Sequence, residues 1–329
     1  MGELKGVVIA PLLFAVLVTY LLSPLVNYLQ KQKIPRPLGI LIIYLFLAAL
    51  ILLFALNLLP TLQDELQDLV ASLPAYTQKL TNFIEYLEGN YQRFNLPANI
   101  RQALNENLTQ LQKSLTANLE KLPQYLVAFF CHAFALLLVP LYVFYLLRDH
   151  VLLKKRLLAI IPPSFRQNAR DALQEIDQTL GAYIRGIFIV SFSVGAMIYL
   201  GLLFFGVKFA LFFGIINALT NIIPYFGPLI GAFPVAAVVL LQSPALIWRV
   251  VLWIMLVQQI ESQFISPQVF GRSLGFHPLT IIIALLLGGI YMGFLGLVVI
   301  IPLLAILRTI FLHFYPLIKH VILENNRKK

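Results

Sequence analysis

Cysteine occurs once in this chain, at Cys131. A lone thiol excludes an internal disulfide and cannot build a zinc site by itself; its place inside an apolar run gives it inert packing as a role. Charge is scarce too. Only 12% of the 329 residues are Asp, Glu, Lys or Arg and 60% are hydrophobic, whereas a soluble domain is about a quarter charged and about half apolar. With a mean hydropathy of +0.86, the composition excludes a soluble globular protein and defines a polytopic membrane protein whose main partner is the lipid bilayer. The net charge of +10 does not point to nucleic acid, because the bases cluster at the ends of apolar segments, where positive-inside bias puts them. Enzyme signatures are missing as well. There is no HExxH, no Walker A loop, no GxSxG and no paired membrane aspartates, so neither an intramembrane enzyme nor a self-contained ATP-driven pump is indicated, and no cofactor or metal is implied. Residues 6–30 are too long an apolar run for a cleavable signal and lack a small-residue cleavage site.

The scarcest feature is acid in the second half. Glu261 is the only carboxylate between Asp177 and Glu324. An ionisable group in so apolar a setting is expensive unless paired or wetted, and it marks a functional site by default. Around it lie Pro267, Gly271, Pro278, Gly288, Gly289, Gly293, Gly296 and Pro302, residues that break or thin a helix. An interrupted apolar segment carrying one acid is the sequence pattern of a transporter site.

In chain order, residues 1–63 form an N-terminal pair of transmembrane helices, with uncharged runs at 6–30 and 37–63. The loop between them carries Lys31, Lys33 and Arg36 and no acid, which places it in the cytoplasm. Residues 64–121 differ in kind, with seven acids and five bases. Leu66, Leu69 and Leu73 share a helical face, and Leu104, Leu108, Leu111 and Leu115 follow a heptad rhythm with Asn118 at the remaining a position. A turn at 89–97 gives a helical hairpin outside the bilayer. Its leucine seam packs either within the hairpin and on the membrane surface or against copies of itself in a homo-oligomer. Residues 122–147 return inward, and 148–185 form a basic cytoplasmic connector with an amphipathic helix. The C-terminal membrane core spans 186–318, followed by a basic cytoplasmic tail at 319–329. Within the core, residues 209–248 hold 40 uncharged positions, too many for one crossing at about 20 residues each. Pro224, Tyr225, Gly227, Pro228 and Gly231 cannot continue a regular helix, so this stretch is a broken helix or a re-entrant hairpin. Asn217 and Asn221, spaced i, i+4, lie on one face just before the break; such amides either glue helices together or line a polar passage. Residues 273–307 make one bent crossing or two. The fold expected is an all-α polytopic bundle with broken or re-entrant helices in its C-terminal half.

Three stretches then carry a resemblance: NIIPYFGPLIG at 221–231, QQIESQFISPQVFGRSLGFHPL at 258–279 and GGIYMGFLGLVVIIPLLAILR at 288–308. Together and in this order they resemble the autoinducer-2 exporter family of bacterial permeases, over almost the whole chain. The resemblance implies a multi-spanning transporter of the bacterial cytoplasmic (inner) membrane. Members are associated with export of the small signalling molecule autoinducer-2, and some with sodium–proton antiport; substrate does not carry over with fold. Two departures stand out. Members usually have another hydrophobic segment before the one matching 6–30, so either the true start lies upstream or this chain has one crossing fewer. The family motif often has Asn after the acid, where this chain has Ser262.

Two mechanisms follow. In a secondary carrier, Glu261 exchanges a proton or binds a cation. Gln258, Asn217 and Asn221 line the path of a small polar solute or of Na+ and H+, and the broken segments gate it. Arg272 and Arg249 are candidate partners that keep Glu261 ionised, and His277 is either a proton relay or a local cap. In the alternative, the chain is an oligomeric scaffold or passive pore assembled through the leucine seam and the small-residue steps at Gly289, Gly293 and Gly296, and Glu261 only fixes a turn.

Overall fold

In lipid every backbone N–H and C=O must be satisfied within the protein, which leaves an apolar chain little choice but helix. The computed structural model describes residues 2–91, 138–270 and 276–327, and no β-strand occurs among the described residues. The helices are α1 (Gly2–Lys31), α2 (Arg36–Asn57), α3 (Leu59–Tyr91), α4 (Leu138–Ile160), α5 (Arg166–Phe204), α6 (Ala210–Thr220), α7 (Gly227–Gln242), α8 (Ile247–Ile260), α9 (Ser266–Phe270) and α10 (Pro278–Arg327). The chain is thus an all-α membrane bundle. The described segments long and apolar enough to cross a bilayer are Pro11–Lys31, Arg36–Asn57, Pro163–Phe204 and Pro278–Tyr315.

α1, α2 and α4 form one sub-bundle around Ala15, Leu22, Val26, Ile40, Ile43, Val143 and Leu147. α2 buries only Gly39, Ile40 and Ile43. Its Leu45, Phe46, Ile51 and Leu56 stay exposed, as the lipid-facing side of a membrane helix does. At the end bearing Lys31 and Arg36, the Arg36 guanidinium donates from Nε to the Leu147 carbonyl at 2.6 Å. With its bonds to Asn27 and Gln30, this ties the start of α2 and the end of α1 to the middle of α4.

α5 runs unbroken for 39 residues, across the 185/186 boundary drawn from charge. Basic residues mark where a helix leaves lipid, but they do not end it; Ala169, Leu180, Val190 and Ile198 stay buried along its length. After a short turn at the far end of α5, α6 descends 11 residues, about 16 Å, and α7 returns over 16 residues. The Lys208 amide donates to Gln242 Oε1 at 3.3 Å, so both ends of this pair lie together at the C-terminal end of α5. The 209–248 stretch is therefore a re-entrant hairpin. α8, a π-helical turn (Glu261–Ile265) and α9 then continue as one segment back along α5.

α10 is also a hairpin. Gly293 has φ 59° and ψ −139°, a left-handed conformation open to glycine at little cost, and it reverses the chain. The first arm, 278–292, is about 22 Å long, short of the roughly 30 Å hydrocarbon layer. The base of this hairpin lies beside the N-terminal part of α5: Arg308 sits over the Phe276 ring at 5.3 Å, His313 Nε2 is 3.5 Å from Glu175, and Phe314 meets Phe165. The two hairpins thus enter the bundle from opposite ends of α5.

α3 departs from the expectation of a wholly separate extramembrane element. It begins at Leu59 rather than 64 and runs through Gly89 to Tyr91. The remainder of the expected turn, the return helix with Leu104, Leu108, Leu111, Leu115 and Asn118, and Cys131 fall outside the described residues. Leu69 and Tyr76 are buried in the main core with Phe209, Phe212 and Val235. The Glu65 carboxylate accepts the Leu211 N–H at 3.2 Å and the Phe212 N–H at 2.8 Å, where the first turn of α6 has no intrahelical acceptors. At the other end of the pair, Lys79 Nζ donates to the Leu241 carbonyl at 2.9 Å. An acid at a helix N-terminus and a base at a C-terminus both match the helix dipole.

Glu65→Ala is expected to lower stability by about 1–2 kcal/mol, the worth of a helix cap, whereas Asp64→Ala and Asp68→Ala, both exposed, change it by less than about 0.5 kcal/mol. Chemical unfolding of the purified protein in detergent checks the order; equal effects at all three positions would remove the clamp.

Candidate functional site

The tip of the α6–α7 hairpin is built by Asn217. Its Nδ2 donates to the Phe213 carbonyl at 2.8 Å and, across the hairpin, to the Gly231 carbonyl at 3.3 Å. Thr220 Oγ1 donates to the Asn217 carbonyl at 3.3 Å. Gly231 permits this approach, since a Cβ there would lie 2.5 Å from Asn217 Oδ1. A Cβ on Gly227 would collide with the Thr220 carbonyl. Pro224 has no N–H to leave unpaired, Pro228 occupies the first turn of α7, and the Phe226 and Gly227 amides donate back to Pro224 and Ile223 at 2.8 Å. Tyr225 takes φ 65°, a left-handed backbone that costs a residue with a Cβ roughly 1–2 kcal/mol. Of the alternatives left open for the two amides, Asn217 does the structural work. Asn221 is 7% exposed, and its side chain has no hydrogen-bond partner among the described residues.

Helix register puts several polar groups at one depth. Gly195 of α5 lies against Gly214 and Ala218 of α6, so Asn217 and Asn221 fall opposite the 190–195 stretch of α5. The Trp253 indole N–H donates to the Met197 carbonyl at 3.1 Å. α8 runs antiparallel to α5, so Gln258 and Glu261 lie about 8 and 12 Å further down, level with Ser191. Ser191 Oγ and Gln258 Nε2 are buried and lack a hydrogen-bond partner among the described residues. The α10 hairpin reaches toward this layer from the other side, where Leu285 and Ile301 share a buried cluster with Ile223.

Glu261 opens the π-helical turn. The Ser266 N–H reaches the Glu261 carbonyl, five residues back, and Pro267 follows with no N–H to offer the helix. Single π turns often mark functional positions. Ser266 Oγ donates to Glu261 Oε1 at 2.6 Å. Ser262 donates from Oγ to the Gln259 carbonyl at 3.3 Å. Arg249 cannot serve Glu261: it lies over the Trp248 ring at 5.4 Å, twelve residues and about 18 Å up the helix. Gly271 and Arg272 lie outside the described residues. His277 is exposed, and its Nδ1 accepts the Leu279 N–H at 3.3 Å; with Pro278 it starts α10, the local-cap reading. Gly288 and Gly296 pack the arms of α10 together. A Cβ on Gly288 would lie 2.7 Å from the Gly296 carbonyl, whereas one on Gly289 meets only the Leu297 side chain at 3.3 Å. Pro302 is buried in the second arm.

Sequence reasoning missed Ser191. One serine in an apolar helix carries no local signal, and its significance comes from the register of α8 against α5.

Opposed broken hairpins around a buried polar layer, in a multi-pass helical bundle, are the architecture of a membrane transporter. The chain belongs to the AI-2E family of transporters, whose description matches residues 6–315. YueF of Bacillus subtilis, named as a transport protein, is 32% identical over 317 residues, covering 94% of this chain and 85% of YueF. PerM of Escherichia coli, named as a permease, is 28% identical over 94% of this chain and 87% of its own length. The AI-2 transport protein TqsA of Escherichia coli is 24% identical over 92% of this chain and 84% of TqsA.

Gly296→Ala is expected to cost about 1–3 kcal/mol by overpacking, because its Cβ would land on the Gly288 carbonyl, while Gly289→Ala is tolerated. Thermal unfolding in detergent separates the two; a Gly296→Ala protein as stable as wild type would show that the arms do not pack in this way.

Proposed function

We propose that this protein is a secondary carrier of the bacterial cytoplasmic membrane that moves a small polar solute, of the autoinducer-2 kind, or exchanges a cation for protons, through the layer at Ser191, Asn221, Gln258 and Glu261. The observation that carries this reading is the pair of buried, unpartnered atoms, Ser191 Oγ and Gln258 Nε2. Each unmade hydrogen bond costs about 1–3 kcal/mol, and buried polar groups are nearly always satisfied, so a site that leaves two unfilled at the depth of its one acid is a site for a transient polar guest. Glu261 is half-exposed and held by Ser266, which leaves its second oxygen for a proton or cation. The hairpin tips supply the moving parts on either side. The name of TqsA supports a solute like autoinducer-2.

Purified protein in proteoliposomes tests the reading under imposed pH and sodium gradients, with and without autoinducer-2. Wild type is expected to show gradient-coupled flux, Glu261→Gln to lose it at least about tenfold, a barrier change of about 1.4 kcal/mol, and Gln258→Leu to weaken it. Full coupled flux in Glu261→Gln would end the carboxylate mechanism, and equal, gradient-independent leak in all three would identify a passive pore.

A further inference from the structure

A second polar cavity lies between α1, α4 and α5, on the cytoplasmic side. It encloses about 620 Å³, the size of a small-molecule site. It is distinct from the polar layer: its wall on α5 runs from Arg185 to Asp177, six to fourteen residues before Ser191, about 9 to 21 Å along the helix. Its walls carry three bases, Arg36, Lys154 and Arg185, with His150 beside them and a single acid, Asp177. That acid is already engaged, accepting the Tyr20 hydroxyl at 2.9 Å and pairing with Lys154. Among the described residues Arg36 meets only neutral acceptors, the Leu147 carbonyl at 2.6 Å, Gln30 Oε1 at 2.8 Å and Asn27 Oδ1 at 3.3 Å. Arg185 has no carboxylate partner among the described residues. Two half-buried guanidiniums are therefore left without a counter-charge. The His150 imidazole responds to the same surroundings: burial, then Arg36 and Lys154, push its pKa down.

From this juxtaposition of Arg36 and Arg185 around a cavity with one spent acid, we propose that the cavity binds a phosphate group borne on an organic body. A guanidinium presents a planar fork of donors that matches phosphate oxygens, and two uncompensated charges suit an anion of charge one to two. Val16, Leu153 and Leu157 line the remaining wall and take the apolar part of the ligand. That ligand is either an anionic phospholipid entering from the inner leaflet or a soluble phosphate ester from the cytoplasm. Occupancy would tie α1, α4 and α5 together through one anion, joining the N-terminal sub-bundle to the long helix that carries the polar layer.

The full-length protein, stripped of lipid in a neutral detergent, is titrated with glycerol 3-phosphate and, separately, with mixed micelles containing phosphatidylglycerol, and thermal unfolding and binding are recorded. Saturable stabilisation by either probe is expected, and the probe that acts identifies the source. Arg185→Gln should weaken binding at least about tenfold. Arg185→Lys should restore part of it, and Lys155→Gln, an exposed base outside the cavity, should leave it unchanged. Because Arg36 also holds Leu147, Arg185 is the variant of choice, and the Arg185→Lys protein guards against a folding defect. No binding of either probe to wild type, or equal binding by wild type and a folded Arg185→Gln protein, would overturn the proposal.

Discussion

The amide of Asn217 holds together the part of the molecule that an apolar environment is least able to tolerate. Where α6 stops and the chain turns, backbone groups lose their helical partners, and no water replaces them in lipid. Asn217 spends both hydrogens of its Nδ2 on carbonyls, one on its own helix and one on α7. The tip closes only because Gly231 and Gly227 bring the two helices into backbone contact. The strain at Tyr225 is held in place by that closure. Every other feature of the polar layer depends on the tip being there, at the depth of Ser191, rather than continuing across the membrane.

The same constraint acts at the outer ends of the hairpin, and there α3 resolves it. A short helix re-entering a membrane has its first N–H groups and last carbonyls at the interface. Glu65 and Lys79 meet them from one continuous helix. α3 is thus a brace that holds both hairpin ends, and its burial of Leu69 and Tyr76 makes it part of the core. The region that looked most independent by composition is mechanically tied to the broken segment. The α10 hairpin is braced differently, by glycine contact between its arms and by Phe276, Arg308 and Phe314 at its base.

What could be read from sequence follows from how local each cause is. Pro224, Gly227 and Pro228 alter the backbone wherever they stand, so the broken α6–α7 segment was legible without coordinates. Gly288, Gly289, Gly293 and Gly296 also announced a weakness, but a bend and a full reversal use the same residues, and only the positive φ at Gly293 distinguishes them. Glu65 was not legible, because it is one acid in a polar run and its partners lie 146 and 147 residues away. The charge pattern at 148–185 suggested a separate connector, whereas α5 runs unbroken through its end, since charge reports solvent and not helix continuity. Glu261 stood out through rarity, whereas Ser191, chemically unremarkable, is defined only by burial and register.

The central claim is that two hairpins enter from opposite faces, and cysteine accessibility tests it most directly. In a Cys131→Ser background, single cysteines at Lys208, Ser243, His277 and Tyr315 would be probed in sealed membrane vesicles of known orientation with an impermeant maleimide. The account predicts that positions 208 and 243 share the outer face and that 277 and 315 share the cytoplasmic one. If 208 and 243 label from opposite sides, or 277 and 315 do, that segment is a complete crossing and the opposed-hairpin architecture is wrong.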